Sequence, residues 1–186
     1  MERFRPGVVF FNRLVEPRWE VWVLDDYSRP GTNERSPDGQ LMYEAKYNGN
    51  LAAAQVLGER LAKAAAAVTA WRTRLAGVQA VCAVPYFGRE RSISVPHVLA
   101  TSIAAGLGVP DHSKLVSKVR DTVPAKGAPA AAVDASQFQT KWSASEKRVL
   151  LIDDVYRSGG TLASLATALK ESGVTPVGAL AALRAM

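Results

Sequence analysis

Short, almost wholly apolar runs alternate with segments of helical periodicity along this chain, and that alternation restricts the fold more than any other feature. The runs cover residues 78–86 (VQAVCAVPY), 148–152 (RVLLI) and 177–183 (VGALAAL). Continuous apolar runs of this length are typical of strands that are buried on both faces. Strands separated by helices predict an α/β fold, in which helices cover both faces of a parallel sheet.

The helices between these strands are predicted from apolar spacing and from residues that begin and end helices. Asn50 is a good N-cap for a helix that runs from residue 51 to the low 70s. A second helix should begin near Ser94 and end at Gly108. A third covers residues 161–172, where apolar side chains recur at i, i+3, i+4 and i+7.

Two stretches lack such a regular pattern. Residues 21–47 predict a strand, then a polar turn region, then a second strand or the start of a helix. Residues 120–147 are rich in Ala, Pro, Ser and Lys, and predict a mobile loop that is ordered in part around Phe138 and Trp142.

Composition excludes several classes of protein. The chain has 186 residues, 48% apolar and 22% charged, which is enough to bury a core of its own. Its single cysteine, Cys82, excludes an internal disulfide or cysteine-based metal site and should lie in the core. No apolar run reaches the roughly 18 residues of a membrane span, and the first residues are too weakly apolar for a secretory signal. We therefore expect a cytoplasmic protein with no membrane partner.

The chain is basic, with a formal net charge of +6 and an isoelectric point near 9.7. Such a charge can serve nucleic-acid binding or can surround a pocket for a phosphorylated small molecule. The Lys and Arg residues are scattered rather than clustered, which disfavours a nucleic-acid partner without excluding it.

Two acids and a glycine-rich loop follow the apolar run at 148–152. Asp153 and Asp154 should lie at the carboxyl end of that strand, where ligands bind in parallel sheets. The next loop precedes a helix, whose free N–H groups and dipole attract a phosphate. Its glycines let the backbone approach a ligand, and its hydroxyls add donors. The candidate phosphate loop consists of Arg157, Ser158, Gly159, Gly160 and Thr161.

The acids need a different partner from the loop, because carboxylates repel a phosphate and only accept hydrogen bonds. Sugar hydroxyls suit them, so the segment predicts a clamp for a sugar phosphate. Two alternatives remain: a metal-binding acid pair, and a strand end followed by an ordinary glycine-rich turn. A Walker A loop is excluded, since its G-x-x-x-x-G-K-[ST] pattern is absent from the sequence.

The segment VLLIDDVYRSGGTL at residues 149–162 resembles the phosphoribosyl pyrophosphate (PRPP) motif of type I phosphoribosyltransferases. The resemblance implies that Asp153 and Asp154 bind the ribose hydroxyls and that residues 158–161 hold the 5′-phosphate. It also implies a Mg²⁺-dependent enzyme that transfers ribose 5-phosphate from PRPP to a nitrogen acceptor, such as a nucleobase, and releases pyrophosphate. Mg²⁺ would bind mostly to oxygens of PRPP, so no set of protein metal ligands is expected.

The resemblance extends over residues 41–184 to the ComF-like branch of that superfamily, through YEAKYNGN, VCAVPYFGRERSIS and VRDTVPAKG. That branch usually carries N-terminal zinc-binding cysteines, which this chain lacks. Residues 1–48 are instead predicted to form a β-hairpin hood, and residues 49–186 the phosphoribosyltransferase-like core. The resemblance implies a pyrophosphate loop of Tyr86, Phe87, Gly88, Arg89 and Arg91. It also implies a flexible closing loop that begins with Lys118 and Arg120.

Several details stay open at this stage. In 6-oxopurine enzymes of this family an Asp stands at the position of Arg157 and acts on the base, whereas an Arg stays protonated and cannot be a general base. Arg157 could favour an anionic acceptor or point to solvent. Tyr156 could flank the acceptor or pack beside the loop, Lys46 matches a family position without a role, and His97 and His112 are not expected to act directly.

Two functions therefore compete. One is a phosphoribosyltransferase, which we expect to be a homodimer. The other is a non-catalytic PRPP or nucleotide sensor on the same fold, associated with regulation or DNA uptake.

Overall fold

The computed structural model describes residues 9–12, 19–71, 75–87, 92–120 and 133–185. Its strands are β1 (Val9–Asn12), β2 (Trp19–Asp26), β3 (Ala80–Ala83), β4 (Val116–Lys118), β5 (Phe138–Thr140), β6 (Arg148–Tyr156) and β7 (Thr175–Arg184). Its α-helices are α1 (Pro37–Tyr47), α2 (Leu51–Trp71), α3 (Val95–Leu107) and α4 (Gly160–Glu171). Short 3₁₀ turns cover Ser113–Leu115 and Ala135–Gln137.

Within these residues, a five-stranded sheet has the order β1-β2-β7-β6-β3. Strands β2, β7, β6 and β3 run parallel, and β1 is antiparallel to β2 at one edge. Strands β4 and β5 form a separate antiparallel pair. The predicted α/β fold with a parallel central sheet is confirmed.

Side chains of the central strand alternate between two apolar layers, as the pleat requires. Leu150 and Ile152 of β6 pack in the layer that contains α1, α2 and α3. Val149 and Leu151 point the other way and pack against α4. All four side chains are fully buried, because helices cover both faces of the sheet. The carboxyl ends of the parallel strands all lie at the same edge of the sheet.

The predicted helix boundaries agree with the structure to within one residue where a cap defines them. Asn50 precedes α2, and its Oδ1 accepts a 3.1 Å hydrogen bond from the N–H of Ala53. Helix α3 ends at Leu107, and Gly108 follows with φ of 66°, the left-handed conformation that favours glycine at this position. Helix α4 begins at Gly160, one residue before its predicted start.

The N-terminal region differs from the predicted hood. Strands β1 and β2 do form the expected antiparallel hairpin, but β2 also pairs in parallel with β7 inside the central sheet. Val21, Trp22 and Val23 are all buried, which means that both faces of β2 are covered, as in a strand inside the sheet. The hairpin therefore extends the sheet rather than standing apart as a lid, and the boundary at residue 48 stays a prediction.

The segment predicted as a mobile loop is ordered in its described part, from residue 133 onwards. Strand β5 pairs with β4, Phe138 and Gln137 are buried, and Trp142 Nε1 donates a 3.0 Å hydrogen bond to the carbonyl of Glu146. The ordering around Phe138 and Trp142 is confirmed. Residues 121–132 lie outside the described part of the chain.

Among the described helices, none has the length and apolar character needed to cross a bilayer.

Candidate functional site

A cleft of about 220 Å³ opens where β3 and β6 end. These strands are parallel neighbours, so their carboxyl ends meet at one edge of the sheet, where open α/β sheets bind ligands. The polar groups of its lining are Lys46, Lys118, Asp153, Asp154 and Thr161. The rest of the wall is mostly apolar and includes Pro85, Tyr86, Ile93, Val95 and Pro96.

The two acids are consecutive residues in the second half of β6, which continues to Tyr156. The backbone N–H of Asp154 donates a 2.8 Å hydrogen bond to Asp153 Oδ1. Lys46, from the last turn of α1, places its Nζ 2.7 Å from Asp154 Oδ2. The side chains of this ion pair are only 20% and 13% exposed, so water screens the attraction less than at the surface.

The pKa of Asp153 is raised to about 7, chiefly by burial and secondly by the neighbouring charge of Asp154. Lys46 and Lys118 act against this rise because a nearby cation favours the ionised acid. The pair is therefore poised to hold one proton near neutral pH, which is a common property of ligand-binding and catalytic carboxylates.

The candidate phosphate loop joins β6 to α4. Gly159 has φ of 78°, a conformation that side chains rarely adopt, and its carbonyl accepts a 2.9 Å hydrogen bond from Ala163. Thr161 lines the cleft in the first turn of α4, where helix N–H groups have no intrahelical partner. Arg157 and Ser158 are exposed. The structure thus brings the helix start and the two acids to one edge of the sheet.

The candidate pyrophosphate loop is described only at its beginning. Tyr86 lines the cleft and is 39% exposed, and Phe87 is 47% exposed. Gly88, Arg89 and Arg91 lie outside the described residues, so their assignment to this loop stays a prediction.

The two residues predicted to begin a closing loop have different surroundings. Lys118 is the last residue of β4 and lines the cleft. Arg120 lies two residues later, and its guanidinium is 2.8 Å from Asp134 Oδ2. Only Lys118 of this pair contributes to the cleft lining.

Sequence reasoning assigned no role to Lys46, although the structure joins it directly to Asp154. Its position in the segment YEAKYNGN was the available signal, but periodicity does not indicate which strand end a helix will face. The apolar wall at the start of α3, formed by Ile93, Val95 and Pro96, was missed for the same reason.

Other candidate residues take structural positions. Tyr156 is buried in the layer against α4, which settles its open alternatives in favour of packing, and burial raises the pKa of its hydroxyl. Cys82 is buried as predicted. His97 Nδ1 is 2.8 Å from Ser94 Oγ, and His112 Nε2 is 3.2 Å from Glu146 Oε2.

The central sheet of parallel strands, with helices on both faces, defines the class of the molecule as an α/β fold. No family model matches the sequence. No curated protein matches it either. Among solved structures, the chain is similar to Leishmania donovani UMP synthase, with 15% sequence identity and a TM-score of 0.42. The match covers 83% of this chain and 27% of that one, so the chain spans about a quarter of the length of that structure.

Proposed function

We propose that the protein is a PRPP-binding phosphoribosyltransferase, which transfers ribose 5-phosphate to a nitrogen acceptor and releases pyrophosphate. The observation that carries the proposal is the placement of Asp153 and Asp154 beside the start of α4 in one cleft. Acids and a helix N-terminus attract opposite kinds of group. A sugar phosphate contains both kinds, a diol and a phosphate, within one small molecule.

The charges around the cleft support this assignment. Lys46 and Lys118 line it, and they supply positive charge for a ligand that carries a phosphate and a diphosphate. Catalysis of such a transfer depends mainly on orientation and on stabilising the charge of the leaving diphosphate. Basic groups at the wall of the cleft suit that task, and Arg89 or Arg91 would add to it if the predicted pyrophosphate loop is correct.

Mg²⁺ is part of the proposal. The cleft offers two carboxylates, one of which is already paired with Lys46. Among the described residues, no group of three or more metal-ligating side chains occurs. That donor set fits a Mg²⁺ held mainly by phosphate oxygens and water, which is the usual way proteins bind this ion with nucleotide ligands. When bound, the ion would neutralise charge on the diphosphate.

Calorimetry with PRPP and Mg²⁺ tests the binding step. We expect the wild type to bind and the Asp153→Asn/Asp154→Asn double variant to lose at least about tenfold in affinity, since each lost charge-assisted hydrogen bond is worth about 1.5–3 kcal/mol. Asp25→Asn is a matched control, because Asp25 Oδ1 accepts the same 2.8 Å hydrogen bond from the next backbone N–H but is exposed on β2. Equal affinity in the wild type and the double variant would refute the proposal.

Turnover is tested separately by measuring pyrophosphate release with a panel of nucleobases and other nitrogen acceptors. Release that depends on both PRPP and an acceptor is expected for a transferase. PRPP binding without release across the panel would instead support the sensor function.

A further inference from the structure

The ion pair between Lys46 and Asp154 joins helix α1 to the acid pair of the cleft. We propose that Lys46 is a positioning residue, which holds the Asp154 carboxylate in the orientation that a sugar diol requires and offsets the repulsion between the two adjacent acids. This inference rests on the proposed function and deepens it, since it assigns a role to a residue on another element of the fold.

Helix α1 holds Lys46 firmly in place. Met42 and Ala45 are fully buried against the sheet and the neighbouring helices. At the other end of α1, Ser36 Oγ accepts a 3.0 Å hydrogen bond from the N–H of Gly39, and Asp38 forms an ion pair with Arg60 of α2. Because the helix is fixed at its start and along its buried face, the ammonium group is presented to Asp154 from a rigid support.

A single carboxylate can satisfy both Lys46 and a sugar. An ionised carboxylate has about four acceptor sites on its two oxygens, so a contact between Lys46 Nζ and Asp154 Oδ2 leaves room for hydroxyl donors. The sugar site therefore depends on the orientation in which Lys46 holds the remaining acceptor sites of Asp154.

The charged groups that face the acids from each packed element explain why Lys46 matters. Asp153 and Asp154 come from β6, Lys46 comes from α1, and Lys118 comes from β4. Two adjacent carboxylates repel each other, and a cation within a few ångströms offsets this repulsion. Without Lys46, Lys118 would be the remaining cation in the described lining of the cleft, and the pKa of Asp153 would be higher.

The test compares four proteins by calorimetry with PRPP and Mg²⁺ from about pH 6 to about pH 9. Lys46→Met removes the charge and keeps an unbranched chain, and Lys46→Arg restores a cation. Lys63→Met is the control, because Lys63 is an exposed lysine of the neighbouring helix α2. The protonation of PRPP changes with pH in the same way in all four experiments, so a difference between the four pH profiles is caused by the protein.

We expect Lys46→Met to bind at least about tenfold more weakly near pH 7, and to recover affinity toward high pH as the acids ionise. Lys46→Arg should return the affinity and the pH profile to within about threefold of the wild type. If Lys46→Met matches Lys63→Met in both readouts, or if Lys46→Arg fails as badly as Lys46→Met, the inference is wrong. Lys46→Gln is a second neutral variant should Lys46→Met not fold.

A measurement without ligand separates this inference from the proposed function. Carbon-13 NMR of the aspartate carboxyls in the free protein should show a pKa of Asp153 that is higher by about one unit in Lys46→Met than in Lys63→Met. If the wild type fails to bind PRPP, the proposed function falls and this titration alone decides the role of Lys46. An unchanged titration overturns it.

Discussion

Arg157 is an exposed residue between the acid pair and the glycines of the candidate phosphate loop. A guanidinium stays charged at all physiological pH values, so it cannot exchange a proton with an acceptor base. Its contribution near the cleft is limited to hydrogen bonding and charge. Both the hydrogen bonds and the positive charge would strengthen the binding of an anionic acceptor.

We therefore predict that Arg157→Thr leaves PRPP affinity within about threefold of the wild type while it weakens an anionic acceptor by about tenfold. The measurement is steady-state kinetics with an acidic and a neutral acceptor, both at saturating PRPP. Lys170→Thr, at an exposed lysine near the other end of α4, controls for a general loss of positive charge. Unchanged kinetics with both acceptors would mean that Arg157 only faces solvent.

Cys82 is fully buried in β3, the last strand in the order of the sheet, and the pKa of its thiol is raised to about 12, chiefly by burial and less by the charge of Asp111. Only the thiolate reacts with alkylating reagents, so the native protein should be almost inert. We expect iodoacetamide at about pH 8 to modify the folded protein at least about 100-fold more slowly than the unfolded protein, as measured by mass spectrometry. Similar rates in the two states would show that the thiol is accessible.

At the level of elements, helices α2 and α3 approach closely at Gly58. A methyl group there would lie 2.4 Å from Ser102 Oγ and 2.9 Å from Ser102 Cβ, both shorter than normal contacts. Glycine costs a helix roughly 1 kcal/mol relative to alanine, and here it is retained where the neighbouring helix leaves no space. The contact with α2 holds α3 in place, and the first residues of α3 form part of the cleft wall.

Gly58→Ala should consequently destabilise the protein by about 1 kcal/mol, because overpacking costs about 1–3 kcal/mol and the gain in helix propensity returns only part of this. Denaturant unfolding measures the change. When Ser102→Gly is added, the double variant should lose less than the sum of the two single losses, since glycine at position 102 weakens α3 by itself but removes the Cβ in conflict. A stabilised single variant would show that the helices can separate at this contact at little cost.

The elements that the sequence predicts well are those whose residues determine them locally. Asn50 and Gly108 mark helix ends through their own chemistry, and residues 149–152 of β6 are all apolar because both faces of the strand are covered there. The start of α1 was left open between a strand and a helix although its signal is local, since Ser36 caps the helix by accepting a hydrogen bond from Gly39 and Pro37 is its first residue. Strands β4 and β5 have three residues each and too few positions to show a period.

At the scale of the whole molecule, the closeness of the acid pair to the glycine-rich start of α4 could be predicted because the two are nearly consecutive in the sequence, and phosphate binding there stays a prediction. The rest of the cleft could not. Lys46, Lys118 and Pro96 come from α1, β4 and α3, and only the packing of those elements onto the sheet brings them to one edge. The same packing removes Asp153 from water, and the free energy of unfolding therefore depends on pH.

The pKa of Asp153 is about 7 in the folded protein and should return to its ordinary value of 3.8 in the unfolded chain. Between about pH 4 and about pH 7 the folded state therefore keeps a proton that the unfolded state has released, so the free energy of unfolding falls as the pH rises through this range. Above about pH 7 both states are ionised, and the cost of burying the charge is present in full.

Asp153→Asn removes this titration and keeps an oxygen that can accept the hydrogen bond from Asp154. We predict that it raises the free energy of unfolding at about pH 8 by about 1 kcal/mol or more, and that the gain disappears near pH 4, where wild-type Asp153 is protonated. Urea unfolding of the wild type, Asp153→Asn and the exposed control Asp25→Asn at several pH values measures the effect. A gain that is the same at all pH values would mean that burial does not raise the pKa of Asp153, whereas a gain confined to high pH would show that stability is lost to keep an acid in the cleft.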